Sequence, residues 1–218
     1  MTPEALAERI PQVFHVCAPG ACASIERHGL LSSEALLDLF GIGGEDRARL
    51  LSAPRKRGVP ITHPVHGSAV PNDNLPLSEK VLRACLDHGL APTDWLRLLN
   101  ARVFFWPSER RLASVLGART NRDREREVLV FDTARLLAPC WPAVSLSPIN
   151  SGSTIRRPAR RGTSTFFRAN GIAYRDWQRL RGRIDSVAEI TVDAAVPNAV
   201  DALLDVRRIP ARRRGVPT

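Results

Sequence analysis

The sequence predicts an α+β protein with one domain over residues 1–210, followed by a short, basic and flexible tail, 211–218. Short amphipathic helices lie mainly in the first half, whereas strand-like segments crowd the second half, which differs from an alternating βαβ pattern. A hydrophobic content of 44% is enough for a globular core. The GxGxxG, P-loop and HExxH patterns are missing, so several common nucleotide and metal enzymes lose support.

The elements of the first half have recognisable start and stop signals. The apolar run VFHVC favours a short buried strand. The helix that follows ends at Gly29, and the next helix is capped by Ser32 or Ser33. A third helix ends before the PRKRG cluster. The stretch from Gly58 to Pro76 is rich in Pro, Gly, Asn and His, so we expect a loop there.

Further helices are predicted in LSEKVLRACLDHG, with Ser78 as cap, and in TDWLRLLN, with Thr93 as cap. Runs of β-branched and aromatic residues predict strands in RVFFW, REVLVFD and AVSLSPI, with a capped helix, SERRLASVLG, after the first. A basic loop then enters a strand at Thr165, and YRDWQRL is helical. The chain closes with a strand from Asp185 to Pro197, a helical turn and a last short strand.

The strand from Asp185 to Pro197 contains one unusual residue, Glu189. At period two, Ala188, Ile190 and Val192 share one face, and Glu189 lies on the other. Periodicity alone favours a solvent-exposed position for Glu189. The alternative is that it projects into a site, because a carboxylate inside a strand needs either water or a partner.

Composition and charge limit the possible compartments and partners. No apolar run approaches the ~20 residues of a membrane helix, and the start has no long apolar segment of a secretory signal, so we expect a cytoplasmic protein. Four scattered cysteines without a CxxC pair are expected to be reduced, and we expect no metal site. The net charge of +10 favours a phosphate-rich partner such as nucleic acid, although a solvated basic surface would give the same number.

Two clusters of arginines are candidate phosphate ligands, because the planar guanidinium binds phosphate oxygens in pairs. The first, PRKRG, contains Arg55 and Arg57. The second, RRPARRG, contains Arg160 and Arg161 and lies in a loop. A favourable helix C-terminus and a solvated loop are the ordinary explanations for such runs.

Several segments, in order along the chain, resemble the DarT-type DNA ADP-ribosyltransferase toxins and their superfamily. They are VFHVCAPGACASIERHGLLSS, RVFFWPSERRL, YRDWQRLRGRIDSVAEITVDAAVP and the closing LLDVRR. The family's His-x-Thr opening is His15-Val16-Cys17 here, and the middle, from Gly58 to Asp94, does not align. The loop INSGST…RGTSTFF is closer to an uncharacterised bacterial relative of the superfamily than to DarT itself.

The resemblance implies an ADP-ribosyltransferase-like fold, in which two small mixed or antiparallel sheets form an NAD cleft with short helices at its periphery. NAD would be the co-substrate: nicotinamide leaves, and ADP-ribose passes to a nucleic-acid acceptor, DNA in preference to RNA. Such an enzyme would act as a toxin or phage-defence effector and would have an antitoxin or immunity partner.

The resemblance also assigns roles to residues. Glu189 would be catalytic, together with Arg55 or Arg57, which would bind the pyrophosphate. His15, Cys17 and Phe105 would contact NAD. The acceptor would lie along a set of residues from the second basic loop and its surroundings: Asn150, Arg156, Arg157, Arg160, Arg161 and Thr165.

Three other functions remain compatible with the sequence. An RNA 2′-phosphotransferase-like enzyme would use basic residues at a phosphate rather than Glu189. A transferase of the same fold could modify protein. A catalytically inactive nucleic-acid-binding module would keep the fold and lose the chemistry.

Overall fold

The computed structural model of the protein describes residues 1–74, 76–118, 121–155, 158–181 and 187–211. The predicted tail therefore lies outside the described residues, apart from its first residue. The α-helices of the described part are α1 (Pro3–Ala7), α2 (Cys22–His28), α3 (Ser33–Leu39), α4 (Gly44–Ser52), α5 (Glu79–Cys85), α6 (Pro92–Asn100), α7 (Glu109–Leu116), α8 (Thr133–Leu137) and α9 (Tyr174–Arg181).

Short 3-10 helices cover Ala138–Ala143, Thr163–Thr165, Ala169–Gly171 and Ala199–Ala202. The strands of the described part are β1 (Gln12–Cys17), β2 (Leu30–Leu31), β3 (Ile61–His63), β4 (Gly67–Ala69), β5 (Arg102–Phe105), β6 (Arg126–Asp132), β7 (Val144–Ser147), β8 (Phe167–Arg168), β9 (Glu189–Asp193), β10 (Ala195–Val196) and β11 (Leu203–Ile209).

The larger sheets are both antiparallel. One has the order β1-β6-β11 and the other the order β5-β9-β7-β8. Phe14 of β1 and Trp106, just after β5, exchange two backbone hydrogen bonds of 3.0 and 2.9 Å, so the two sheets adjoin along these strands. Smaller antiparallel pairs are β2–β10 and β3–β4. The predicted α+β class with small antiparallel sheets is confirmed.

The largest buried cluster joins side chains from both of these sheets with flanking helices. Phe105, Phe131 and Trp177 are fully buried in it, beside β9 residues Ile190 and Val192. A second cluster, around Leu82 and Trp95, lies between α5 and α6. Burial of this apolar surface is what fixes the strands against the helices.

Local signals in the sequence explain several element ends. Ser32 is the N-cap of α3 and Ser108 that of α7, as predicted. The side chain of each accepts a hydrogen bond from a backbone N–H in the first turn of its helix. Gly29 follows α2 with φ of +75°, and a Cβ there would lie 2.6 Å from the carbonyl oxygen of Val196. Only glycine fits this close approach between α2 and β10.

Some predicted boundaries are wrong. The helix α6 begins at Pro92, and the N-cap is Ala91 rather than Thr93, because the Asp94 carboxylate accepts the Ala91 N–H at 3.0 Å. Ser78 directly precedes α5, but its side chain makes no capping bond. The predicted loop Gly58–Pro76 contains the hairpin β3–β4.

The prediction is also wrong at two strand starts and missed two helices. Thr165 ends a 3-10 turn, and the strand begins at Phe167. Glu189 is the first residue of β9 rather than the middle of a strand, and both faces of β9 are buried. The missed helices are α1 and α8, although the side chains of Thr2 and Asp132 cap them. The prediction of a single domain over 1–210 stays a prediction.

Candidate active site

A cavity of about 900 Å³, here called the main cavity, lies beside the junction of β1 and β5. Its walls come from β1, α2, β5, the β3–β4 hairpin and the loops that follow β4 and β7. Among the predicted site residues, it is lined by His15, Cys17, Arg55, Asn150 and Glu189. The tertiary structure thus brings together residues that are up to 174 positions apart in the sequence.

Glu189 lies at the edge of the main cavity and is only 3% exposed. It pairs with Ser147 of β7, so its position is fixed by the ladder between two central strands. The Ser151 backbone N–H lies 3.1 Å from each carboxylate oxygen, and the Ser151 hydroxyl donates to Oε2 at 2.6 Å. Glu189 is therefore held by the loop after β7 and does not face bulk solvent.

The protonation of Glu189 is set by opposing effects. Burial raises its pKa from 4.5 to about 7, against the Ser151 hydrogen bonds and the cations Arg161 and Arg111, which favour the charged form. Burial is the larger effect, because little water reaches the carboxylate. A carboxyl group that titrates near neutral pH can both accept and donate a proton in catalysis.

Arg161 holds the loop that holds Glu189. Its guanidinium is buried, with the residue 2% exposed, and Nη1 donates at 3.0 Å to the carbonyls of both Ser151 and Ser153. Nε donates to the Ala159 carbonyl at 3.2 Å. Arg161 was predicted to contact an acceptor, but a buried side chain with these bonds is unsuited to that role. It acts on Glu189 through Ser151.

His15 faces the main cavity from β1 and is half-buried. Its Nδ1 lies 2.9 Å from the Phe104 carbonyl, which can only accept, so Nδ1 carries a proton and Nε2 of the neutral ring is an acceptor. Burial lowers the pKa of His15, against the effect of this hydrogen bond, and keeps the ring neutral at pH 7. A neutral imidazole with a fixed tautomer is suited to accept a hydroxyl proton from a ligand.

Arg55 lines the main cavity but is bonded mainly to the protein. Nε donates to the Asn72 carbonyl at 3.0 Å, and Nη1 donates to the Leu50 carbonyl. Nη2 donates to Asn100 Oδ1 at 2.8 Å and to Ser33 Oγ at 3.2 Å. Burial lowers the pKa of Arg55 to about 10, so it stays charged at pH 7. Four of the five guanidinium N–H groups are thus engaged.

Two of the predicted NAD contacts, Arg57 and Phe105, do not line the main cavity, whereas the third, Cys17, does. Arg57 does not line the main cavity but a neighbouring one, described below. Phe105 is fully buried in the core, because alternate residues of β5 face opposite sides, and Phe104 lines the cavity instead. Cys17 does line the main cavity, but its thiol contacts the Glu127 carbonyl at 3.7 Å, and burial raises its pKa to about 12.

The predicted acceptor edge is not one surface. Asn150 lines the main cavity, whereas Thr165 is buried and accepts the Gly162 N–H at 2.9 Å. Arg160 is exposed and pairs with Asp87 at 3.3 Å. Arg156 and Arg157 lie outside the described residues. Among the described residues of the predicted acceptor edge, only Asn150 lines the main cavity.

Sequence reasoning missed two asparagines that line the main cavity. Asn72 Nδ2 donates to the Val16 carbonyl at 3.2 Å, and Asn74 Oδ1 accepts the Arg55 N–H at 2.6 Å. Their other amide atoms, Asn72 Oδ1 and Asn74 Nδ2, are buried and have no hydrogen-bond partner among the described residues. The run PNDNLP was the available signal, but it was interpreted only as loop composition.

The described residues contain neither a metal-binding cluster nor a membrane-spanning helix. Nowhere in that part of the chain do three or more His, Cys, Asp or Glu side chains form a group that could hold a metal ion. Nor does that part contain a helix with the length and apolar character needed to cross a membrane.

The chain belongs to DUF7002, a family of unknown function, which it matches over residues 11–203. This range includes β1 with His15 and β9 with Glu189. No curated protein matches the sequence. Because the function of the family is unknown, membership in it does not indicate an activity for the site.

Proposed function

We propose that the protein is an NAD-dependent ADP-ribosyltransferase with an ADP-ribosyltransferase-like fold, which modifies a nucleic acid. The observation that carries this proposal is that His15 and Glu189 line one cavity of about 900 Å³. A volume of that size is within the range of roughly 300–1,000 Å³ for small-molecule sites. The resemblance to the DarT superfamily implies roles for these same two residues, with His15 in contact with NAD and Glu189 in catalysis.

The proposed reaction breaks the bond between the nicotinamide nitrogen and ribose C1′ of NAD. The bonding electron pair leaves with nicotinamide, and the ribose passes through an oxocarbenium-like state, as in glycoside cleavage. Glu189 accepts a hydrogen bond from a ribose hydroxyl and stabilises the developing positive charge. The acceptor then forms a bond to C1′ and loses its proton, for which the Glu189 carboxylate is the base.

Asn72 and Asn74 each have one amide atom without a hydrogen-bond partner among the described residues. Together these atoms fit a ligand that both donates and accepts hydrogen bonds. Asn72 Oδ1 is an acceptor and Asn74 Nδ2 is a donor, and both are buried in the cavity lining. Leaving such atoms unpaired costs about 1–3 kcal/mol each. The nicotinamide carboxamide and the adenine edge each offer a donor and an acceptor, so NAD matches this pair.

The bonds of Arg55 alter one part of the proposal. With one guanidinium N–H group left, Arg55 is not a bidentate clamp for the pyrophosphate. The main cavity is lined by three arginines, Arg55, Arg102 and Arg126, against two acids, Asp73 and Glu189. This excess of positive charge favours an anionic ligand there. We therefore assign Arg55 to holding the wall that carries Asn72 and Asn74.

The test is nicotinamide release from NAD, measured together with transfer of labelled ADP-ribose to DNA, RNA and protein. Glu189→Gln keeps the size of the side chain and removes the negative charge, so we expect at least about a hundredfold loss of turnover. Glu127→Gln is the matched control, because Glu127 is also a buried glutamate, 6% exposed, but does not line the main cavity. Full turnover in folded Glu189→Gln would refute the proposal.

A catalytically inactive nucleic-acid-binding module is the second candidate. It is favoured by the internal bonds of Arg55, which leave the main cavity without a free bidentate arginine at that position. This candidate predicts salt-dependent binding of oligonucleotides without nicotinamide release by the wild-type protein. The same pair of assays therefore distinguishes the two candidates.

A further inference from the structure

A second cavity of about 520 Å³ lies next to the main cavity. We call it the basic pocket. Its lining consists of Lys56, Arg57, Gly58, Val70, Arg124, Glu125 and Arg126. Val70 and Arg126 line both cavities, so the two are contiguous.

The basic pocket carries an excess of positive charge. Four of its lining residues are cations, and one, Glu125, is an acid. The buried carboxylate of Asp73, which lines the main cavity, pairs with Arg124 at 2.6 Å and with Arg126 at 3.0 Å. One carboxylate shared by two arginines leaves positive charge on that side of the pocket.

The exposed cations of the pocket are available to a ligand. Lys56 and Arg57 are exposed, and their side chains make no hydrogen bond or ion pair with the part of the chain that the structure describes. Arg126 is 8% exposed, and its Nε is buried without a hydrogen-bond partner among the described residues. An arginine donor that is buried and unpaired is costly unless a ligand accepts from it.

The backbone that presents these cations is held in place. The Lys56 carbonyl accepts a hydrogen bond from Arg124 Nη2 at 3.0 Å, and the Val59 N–H donates to the Pro71 carbonyl at 3.1 Å. Between them, a Cβ at Gly58 would lie 2.6 Å from Val70 Cγ1, so the two segments approach closely because residue 58 is glycine. A fixed backbone lowers the entropic cost of binding.

We propose that the basic pocket binds a backbone phosphate of the nucleic-acid acceptor, next to the main cavity in which the nucleotide reacts. This inference rests on the proposed function. Lys56 and Arg57 would make sequence-independent contacts, which position a strand without reading its bases. The pocket replaces the Arg156–Arg161 loop as the acceptor surface, since Arg161 of that loop is buried and Arg160 is paired.

The test measures binding of a labelled single-stranded oligonucleotide by fluorescence anisotropy over a series of salt concentrations. In the double variant Lys56→Gln, Arg57→Gln, we expect weaker binding and a smaller salt dependence. The slope of log K against log salt should fall by about 0.7 for each lost phosphate contact on a single strand. The same measurement on a duplex shows which form the acceptor takes.

The matched control is Lys80→Gln, Arg97→Gln, which removes the same charge from α5 and α6. Both residues are exposed and line neither cavity. We expect its salt slope to equal that of the wild-type protein. Equal slopes in both double variants, or no oligonucleotide binding by the wild-type protein, would overturn the proposal.

A titration with NAD separates the two sources of phosphate. If Lys56→Gln, Arg57→Gln weakens NAD binding and leaves oligonucleotide binding intact, the pocket holds a phosphate of NAD and the nucleic-acid assignment fails. Failure of the proposed reaction is measured separately, since Glu189→Gln tests nicotinamide release without any oligonucleotide. If the oligonucleotide binds with the predicted salt slopes but no nicotinamide is released, the phosphate-binding role of the basic pocket stands and the proposed transferase activity is rejected.

Discussion

The basic residues around the two cavities fall into two groups that the sequence presents as alike. Arg55 and Arg161 are 7% and 2% exposed, and each donates to a backbone carbonyl of a loop that forms the cavity wall, at Asn72 and Ser153 respectively. Lys56 and Arg57 follow Arg55 directly, yet they are exposed and make no ion pair within the described residues. One run of basic residues thus contains both a structural guanidinium and two available cations.

The difference shows why charge alone does not identify a phosphate ligand. A guanidinium taken out of water must replace its hydration with several acceptors, and loop carbonyls that lack partners in a sheet provide them. The same bonds order the loops, so Arg161 and Arg55 affect the main cavity through Ser151 and Asn72. An exposed cation keeps its hydration, makes no such bonds to the loops and stays available to a phosphate.

The largest effect should come from removing Arg161. Arg161→Met leaves the Ser153 and Ala159 carbonyls without this donor and removes one of the two donors to the Ser151 carbonyl, which also accepts from Trp95. We expect the free energy of unfolding to fall by about 3–5 kcal/mol, measured by urea denaturation. Arg160→Met is the matched control, with an expected change within about 0.5 kcal/mol, because its side chain is 69% exposed. Similar small losses in both variants would contradict the comparison.

The second effect concerns the pH dependence of Glu189. Its pKa is raised from 4.5 to about 7, so the fold favours the neutral form. Its contribution to stability is complete below pH 4.5 and is lost as the pH rises through 7. Relative to Glu189→Gln, the wild-type protein should therefore lose about 3 kcal/mol of unfolding free energy over this window, measured by denaturation at several pH values.

The same group should control turnover. If the carboxylate is the active form, nicotinamide release rises with pH through about 7. Arg161→Met removes a positive charge that lowers the pKa of Glu189, so the midpoint of the profile should move to higher pH. A lower rate with an unchanged midpoint would mean that Arg161 supports the fold without acting on Glu189.

The smallest effect is expected at the basic pocket. Lys56→Gln, Arg57→Gln should change the unfolding free energy by less than about 0.5 kcal/mol, because neither side chain has a partner among the described residues. Thermal and urea denaturation would check this. A loss comparable to that of Arg161→Met would mean that these cations belong to the structural group.

Local signals predicted much of the secondary structure. The Ser32 and Ser108 caps, the Gly29 stop after α2 and the apolar runs of β1, β5 and β6 depend on neighbouring residues, so they can be recognised in the sequence. The hairpin β3–β4 was missed because its short strands, of three residues each, lie in a segment rich in turn-forming residues. Thr93 was predicted as the cap of α6, but proline is favoured at the first helical position, and Pro92 occupies it.

The candidate site was predictable only in part. The resemblance to the DarT superfamily selected Glu189 and His15, and both line the main cavity. Phe105 was predicted in place of Phe104 because the direction of a strand's side chains depends on which sheet face is buried, which a run of four apolar residues does not reveal. Ser151 and the two asparagines were missed, since small polar residues in loops have no spacing that distinguishes a site.

By itself, the sequence determined the α+β class, the excess of positive charge and most of the helix ends, because composition and short-range contacts control them. Only the tertiary structure decided which charges are buried. Arg55 and Arg57 are two residues apart, and Arg160 and Arg161 are adjacent, yet their exposures differ because different loops fold over them. It also decided the position of Glu189, since the loop after β7 folds back and converts an apparent surface position into the buried wall of a cavity.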